Sequence, residues 1–222
     1  MKRLILIIIA TGVIIIGAVD AMAAEEAKYD VVKKDNTFEI RHYAPHILAE
    51  IIVEGSLEDT GSKAFNRLFR YISGDNRSRV KVDMTTPVSQ QSVGEKIKMT
   101  APVGQQRVGE KWAVSFMMPA AFTLETLPEP TDPLITLRQV PARMVAVVRY
   151  SGFWSEKGYL RNKSKLESWI QEMGLTIVGE AIWARYNPPY TLWFLRRNEI
   201  LIPVDAGDGA AGYEDRSKGR QE

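Results

Sequence analysis

Two histidines, His42 and His46, are the only imidazoles in the 222-residue chain, four positions apart. On a helix that spacing would put both rings on one face, as a two-histidine metal site requires. This stretch instead reads as extended, Pro45 between the rings bends it, and no second cluster of ligands accompanies them. In an extended chain Phe38, Ile40 and His42 share one face, and Glu39, Arg41 and Tyr43 share the other. His42 is thus expected to point toward a core or a cavity. An imidazole there needs a hydrogen-bond partner or an iron. Two readings stand side by side: a satisfied structural histidine, or a ligand.

A second constellation is basic. Lys63, Arg67 and Arg70 follow at i, i+4 and i+7, which places them on one face of a helix beside Phe65 and Phe69. Such a basic rim on an apolar surface suits the carboxylates of an amphipathic ligand. Its plainer reading is a solvated helix face. The aromatic clusters Phe153-Trp154 and Tyr190-Thr-Leu-Trp193-Phe194 are dense enough to line a pocket for a flat ligand, or simply to pack a core. For acid–base chemistry, Glu180 and Glu199 are the carboxylates near aromatic segments. The chain contains no GxSxG, HExxH, P-loop or GxGxxG pattern.

Composition narrows the classes. Hydrophobic residues make up 45% and charged residues 25%, as in an ordinary globular chain. A formal net charge of +2 implies no nucleic-acid partner. The absence of cysteine removes disulfides, thiolate nucleophiles, zinc ribbons and iron–sulfur clusters. Lys2 and Arg3 precede an apolar run from Leu4 to Val19, and Ala21-Met-Ala23 has the small-x-small form of a signal-peptidase site. Residues 1–23 are read as a secretory signal peptide, which implies a periplasmic or secreted protein. The alternative is an uncleaved inner-membrane anchor, the one route to a membrane.

The elements that must position these residues form two similar halves. Strands are expected at Tyr29–Lys33, Thr37–Tyr43 and Ile47–Glu54, then a helix over Leu57–Ser73 with a Ser56/Asp59 cap and a stop at Gly74. A near-repeat follows: Met84-Thr-Thr-Pro-Val through Glu95 returns as Met99-Thr-Ala-Pro-Val through Glu110, each copy an extended segment and a polar turn. Lys111–Met118 is a strand. The second half repeats the plan with strands at Leu134–Val140 and Met144–Tyr150, a helix over Ser155–Met173, and strands at Ile182–Tyr186 and Leu192–Val204. Residues 205–222 read as a disordered tail. Strands with one helix per half predict an α+β fold, a twisted sheet or barrel carrying two helices.

Several segments together resemble the SOUL family of haem-binding proteins. They are Tyr29-Asp-Val-Val, Phe38-Glu-Ile-Arg-His-Tyr43, Ala64–Gly74, Lys98-Met-Thr-Ala-Pro-Val103, Ser115–Pro119, Ser151-Gly-Phe-Trp154, Ala184–Pro189 and Arg196-Arg-Asn-Glu199. They run in order from about Tyr29 to Val204, so the resemblance implies one such domain over residues 24–204. The resemblance implies a distorted β-barrel of two pseudo-symmetric halves, each with antiparallel strands and one flanking helix. It implies non-catalytic binding of haem or another tetrapyrrole, as a carrier or buffer. In one mode of the family a histidine in the context of His42 is the axial iron ligand. Beside it Met84 or Met99 could supply a sulfur, though nothing in the sequence places either near His42. In another mode the porphyrin lies in a groove along the first helix; Phe65 and Arg70 match groove positions, with Arg67 and Phe69 beside them. Ser62 departs from the basic residue some groove-type members have there. A duplicated layout of this kind is also similar to the GyrI-like fold, some members of which hydrolyse small molecules. That alternative needs Glu180 or Glu199 to face an enclosed pocket.

Overall fold

The computed structural model describes residues 24–79 and 94–205. Its first half holds β1 (Tyr29–Asp35), β2 (Phe38–Tyr43), β3 (His46–Val53), α1 (Leu57–Ile72), β4 (Asn76–Arg77), β5 (Val103–Val108) and β6 (Lys111–Met117). The second holds β7 (Glu129–Pro130), β8 (Ile135–Val140), β9 (Arg143–Tyr150), α2 (Glu156–Glu172), β10 (Thr176–Ile177), β11 (Ile182–Arg185) and β12 (Asn198–Asp205). The expected strand from Leu192 is corrected: Trp193–Leu195 form a 3-10 turn and pairing starts only at Asn198. The first copy of the near-repeat, with Met84, lies mostly outside the described residues, as do the 1–23 segment and the tail beyond 205. The second copy is β5 followed by a turn at Gly109, as expected.

Among the described residues ten strands form one antiparallel sheet in the order β1-β2-β9-β12-β11-β5-β6-β3-β8, with β10 beside β12. The order is mirrored about its centre. β3, β6 and β5 of the first half correspond to β9, β12 and β11 of the second, and α1 follows β3 as α2 follows β9. The strand before each of these is exchanged: β2 pairs with β9 and β8 pairs with β3. The sheet curls into a half-barrel, with both helices on its convex face.

Local chemistry explains the helices. Ser56 Oγ accepts from the Asp59 amide at 3.1 Å and donates to its carboxylate at 2.8 Å, capping α1. Gly74 takes a positive φ of 114° just past its end. Ala64, Leu68 and Ile72 recur at helical spacing and pack on Ile51, Val114 and Phe116 of β3 and β6. α2 places Leu166 and Ile170 on Ala146, Val148, Ile200 and Ile202 of β9 and β12. Each large apolar side chain buried this way contributes about 1.5–3 kcal/mol. The alternate residues Val145, Val147 and Leu201 are buried on the concave face with Tyr43 and Ala184. Both faces of β9 and β12 are therefore covered, which is why these strands read as unbroken apolar runs.

Candidate functional site

The concave face holds a cavity of about 70 Å³. Tyr43 of β2, His46 and Leu48 of β3, Met117 of β6, Arg143 of β9 and Tyr186 after β11 contribute to its wall. Tyr29 and Tyr43 meet at 5.0 Å between ring centroids. The N-terminal segment straps one end: the Ala101 amide donates to the Glu25 carbonyl at 2.9 Å, and the Ala120 amide donates to the Glu25 carboxylate at 2.8 Å. The Ala101–Pro102 peptide is cis, and Pro102 lines the cavity. Thr100 donates to the Met117 carbonyl, which ties the Met-Thr-Ala-Pro-Val segment to the same wall.

An ion-pair network underlies this cavity. Glu199 is fully buried and takes bonds from Arg41 at 2.8 and 3.1 Å, from the Tyr186 hydroxyl at 2.8 Å and from Arg197 at 3.0 Å. Arg41 also donates to Glu39 at 2.7 Å, and Arg197 to Glu26 at 2.7 Å. Burial pushes the Glu199 carboxyl up, but the bonds and charge of Arg41, with Arg197 and Tyr186, outweigh it and hold the group below its ordinary value. It is an ionised structural carboxylate with its acceptor sites occupied.

The outer face of α1 is different. Phe65 and Phe69 stack at 5.9 Å with nearly parallel rings, and Phe65 rests edge-on against Phe116 at 5.2 Å. Phe69 keeps 45% of its surface exposed. Arg67 grips Asp132 with two bonds, at 2.5 and 2.8 Å, and Arg70 donates to Asp75 at 2.7 Å. Together with Tyr71, Thr131, Pro133 and Ile135 these four charged residues line an open groove of about 300 Å³.

A family model described as SOUL heme-binding protein matches residues 24–203. The chain belongs to the SOUL heme-binding protein family. At the level of the family this implies binding of haem or a related tetrapyrrole. No curated protein sequence matches the chain. Among solved structures, a hydrolase from Listeria innocua superposes with a TM-score of 0.54 at 11% identity, covering 78% of this chain and 94% of that one. The EcmrR C-terminal domain superposes with a TM-score of 0.50 at 11% identity, covering 80% and 98%. These likenesses show the fold alone, a GyrI-like curled sheet with two helices.

The SOUL chain distributes the sequence-predicted residues unevenly. Phe65, Arg67, Phe69 and Arg70 all lie on α1, but in two groups: the phenylalanines stack beside Phe116, and the arginines line the groove with Asp75 and Asp132. His42 does not join them: it sits on β2 opposite Asp30 and Met144. The expectation that His42 points into a core or cavity is corrected, because its side chain is exposed and lines neither the cavity nor the groove. It shares a face with the buried Ile40, but β2 has reached its end there. Met99 is exposed as well, at 39%. Phe153, Trp193 and Phe194 enclose no pocket; Phe153 and Trp193 stack at 5.3 Å on an exposed ledge, with Leu192 and Leu195 uncovered beside them. Glu180 is exposed. Sequence reasoning missed His46 and Arg143 as cavity residues. The available signal was the even spacing of His46 and Leu48 along β3.

Proposed function

We propose that this SOUL chain is a non-catalytic carrier or buffer of haem, holding the macrocycle along α1 rather than in the concave cavity. The observation that carries this reading is the Phe65–Phe69 stack. It offers a flat, half-exposed apolar surface on the helix whose Arg67 and Arg70 line the neighbouring groove. Haem needs an apolar slot for its faces and cations for its two propionates. Both arginines are engaged with aspartates: the Arg70–Asp75 pair is exposed and costs little to open, whereas Arg67 is held by Asp132 in a part-buried two-bond pair, so Arg70 is the cation more readily given to a propionate. The cavity of about 70 Å³ is far below the roughly 300–1,000 Å³ usual for a bound cofactor. When bound, haem would supply the iron and its ligand chemistry; the chain's own residues bind and orient it. His42, an open imidazole outside this groove, is the competing axial ligand.

Glu199, saturated with donors, leaves the hydrolase alternative without a poised base. Export belongs to the same reading. It is supported by the basic–apolar–small pattern of residues 1–23 and by a family match that begins at residue 24.

Hemin titration followed in the Soret region tests the proposal. A saturable one-to-one shift that weakens at least tenfold in Arg67→Ala/Arg70→Ala and persists in His42→Ala supports it. A shift abolished by His42→Ala moves the site to β2, and no saturable shift overturns haem binding. Mass measurement of the protein in the periplasmic fraction tests export: a mature N-terminus near Ala24 supports cleavage.

A further inference from the structure

The concave cavity contains one cation without a counter-ion. Arg143 opens β9 and lines the cavity; its Nε is buried and has no hydrogen-bond partner, and among the described residues no ion pair engages its guanidinium. The charges around it are committed elsewhere. Arg138 of β8 is held by Glu50 of β3 through two bonds at 3.0 and 2.8 Å. Glu26 on the N-terminal strap pairs with Arg197, and Glu199 is saturated. Arg143 as a whole is half-buried, and an unsatisfied buried Nε–H beside a cation without a counter-ion is costly to keep, which fits a site for an anion. Burial, with the charge of Arg138, already lowers the proton affinity of Arg143, the mark of a cation poorly solvated by its surroundings.

His46 supplies a second polar atom. Its Nδ1 lies 2.9 Å from the Ala44 carbonyl, which can only accept, so Nδ1–H is the donor and Nε2 is left as a lone-pair acceptor. Glu26, paired with Arg197, and Ser115 also line the cavity, and the rest is largely apolar and aromatic, Tyr29, Tyr43, Leu48, Met117 and Val145 among it. We propose that the concave cavity binds a small organic carboxylate with an aromatic or apolar body, its carboxylate on Arg143 and a hydroxyl, where it has one, donating to His46. Size agrees. At roughly 10–15 Å³ per water, 70 Å³ admits about five to seven waters, the scale of a small acid rather than of a macrocycle. The site is separate from the α1 groove. The shared chemistry, a carboxylate on an apolar body, has two sources: a free acid, or a propionate arm of a macrocycle lying outside.

Calorimetric titration with 4-hydroxybenzoate, benzoate and benzyl alcohol tests this, on the wild type, Arg143→Gln and His46→Phe. The expected result is saturable one-to-one binding of both acids and none of the alcohol. Arg143→Gln weakens both acids at least tenfold, while His46→Phe weakens 4-hydroxybenzoate more than benzoate. Arg143→Gln is also expected to raise the melting temperature without ligand, which shows that it folds and that the cation is retained at a cost. Absence of acid binding overturns the proposal, as does equal binding of the alcohol or affinity indifferent to Arg143→Gln. Hemin with and without saturating benzoate separates the sources: competition assigns the propionate arm, independent binding the free acid. Acid binding without any hemin shift leaves this site standing and removes the α1 reading.

Discussion

Arg41 holds Glu199 through two nitrogens, at 2.8 and 3.1 Å, across a separation of 158 residues. One partner comes from the second strand of the chain and the other from the last. Both are buried, and they sit beneath the cavity rather than in it. Removing Glu199 leaves the buried Arg41 with Glu39 as its remaining carboxylate and Arg197 with Glu26, and breaking a buried pair from one side is the costly way to do it.

Glu199→Ala is therefore expected to lower unfolding free energy by about 3–5 kcal/mol. Equilibrium urea denaturation reads this directly. Because Glu199 is fully bonded, Glu199→Gln should destabilise in the same direction while leaving the α1 groove and its hemin affinity unchanged. A loss of hemin binding at unchanged stability would contradict that assignment.

The half-buried His46 makes stability depend on pH in the near-neutral range. Burial, together with the positive charges of Arg143 and Arg138, outweighs the Ala44 bond and holds its proton affinity below the ordinary value of 6.5. As pH falls through that value, the unfolded chain takes up a proton that the folded chain resists. Stability is thus expected to be fully present above pH 6.5 and to fall below it, by at most about 1.4 kcal/mol per pH unit for one proton. Urea midpoints at pH 7.5 and 5.5 measure the slope, and His46→Gln should flatten it.

Leu68 and Phe69 are neighbours in sequence with opposite roles. Leu68→Ala empties a fully buried site and is expected to cost about 2–5 kcal/mol. Phe69→Ala removes a half-exposed ring; its melting temperature should move far less, while hemin affinity drops at least fivefold. Thermal melts beside Soret titrations separate the two effects.

The ledge of Phe153, Leu192, Trp193 and Leu195 is a contiguous exposed apolar patch, and such patches drive association. Trp193→Ser/Leu195→Ser should reduce concentration-dependent light scattering and leave hemin affinity within twofold.

Periodicity carried much of the fold. The α1 face was legible because Ala64, Leu68 and Ile72 repeat at helical spacing and Ser56 and Gly74 mark its ends. The shared face of Arg67 and Arg70 followed from the same periodicity, but Asp75 and Asp132, which hold them, did not. The side-chain environment of His42 was not legible: alternation assigns a face, but whether anything covers that face depends on where α2 ends in space. The Arg41–Glu199 pair was hidden for a related reason. Its two halves stood in separate motifs, Phe38–Tyr43 and Arg196–Glu199, and only the curl of the sheet joins them. The run from Leu192 misled because exposed apolar residues in a 3-10 turn look like a buried strand. Arg143 gave no sequence signal, since a charged residue opening a strand normally faces water.

The exchange of β2 and β8 between the halves has a consequence for how such a molecule can be divided. A cut between β7 and β8 would break three pairings in one stroke, β2 with β9, β8 with β3 and β5 with β11, leaving each fragment with bare edges whose native complements lie on the other. Neither half is a folding unit. Topologically the chain is a strand-swapped homodimer written as a single polypeptide, its connecting segment keeping the two lobes permanently at high effective concentration. The two lobes are then free to diverge in sequence, which no symmetric dimer allows, and the unpaired Arg143 is one product of that freedom: β3, the counterpart of β9, opens with His46 in its place.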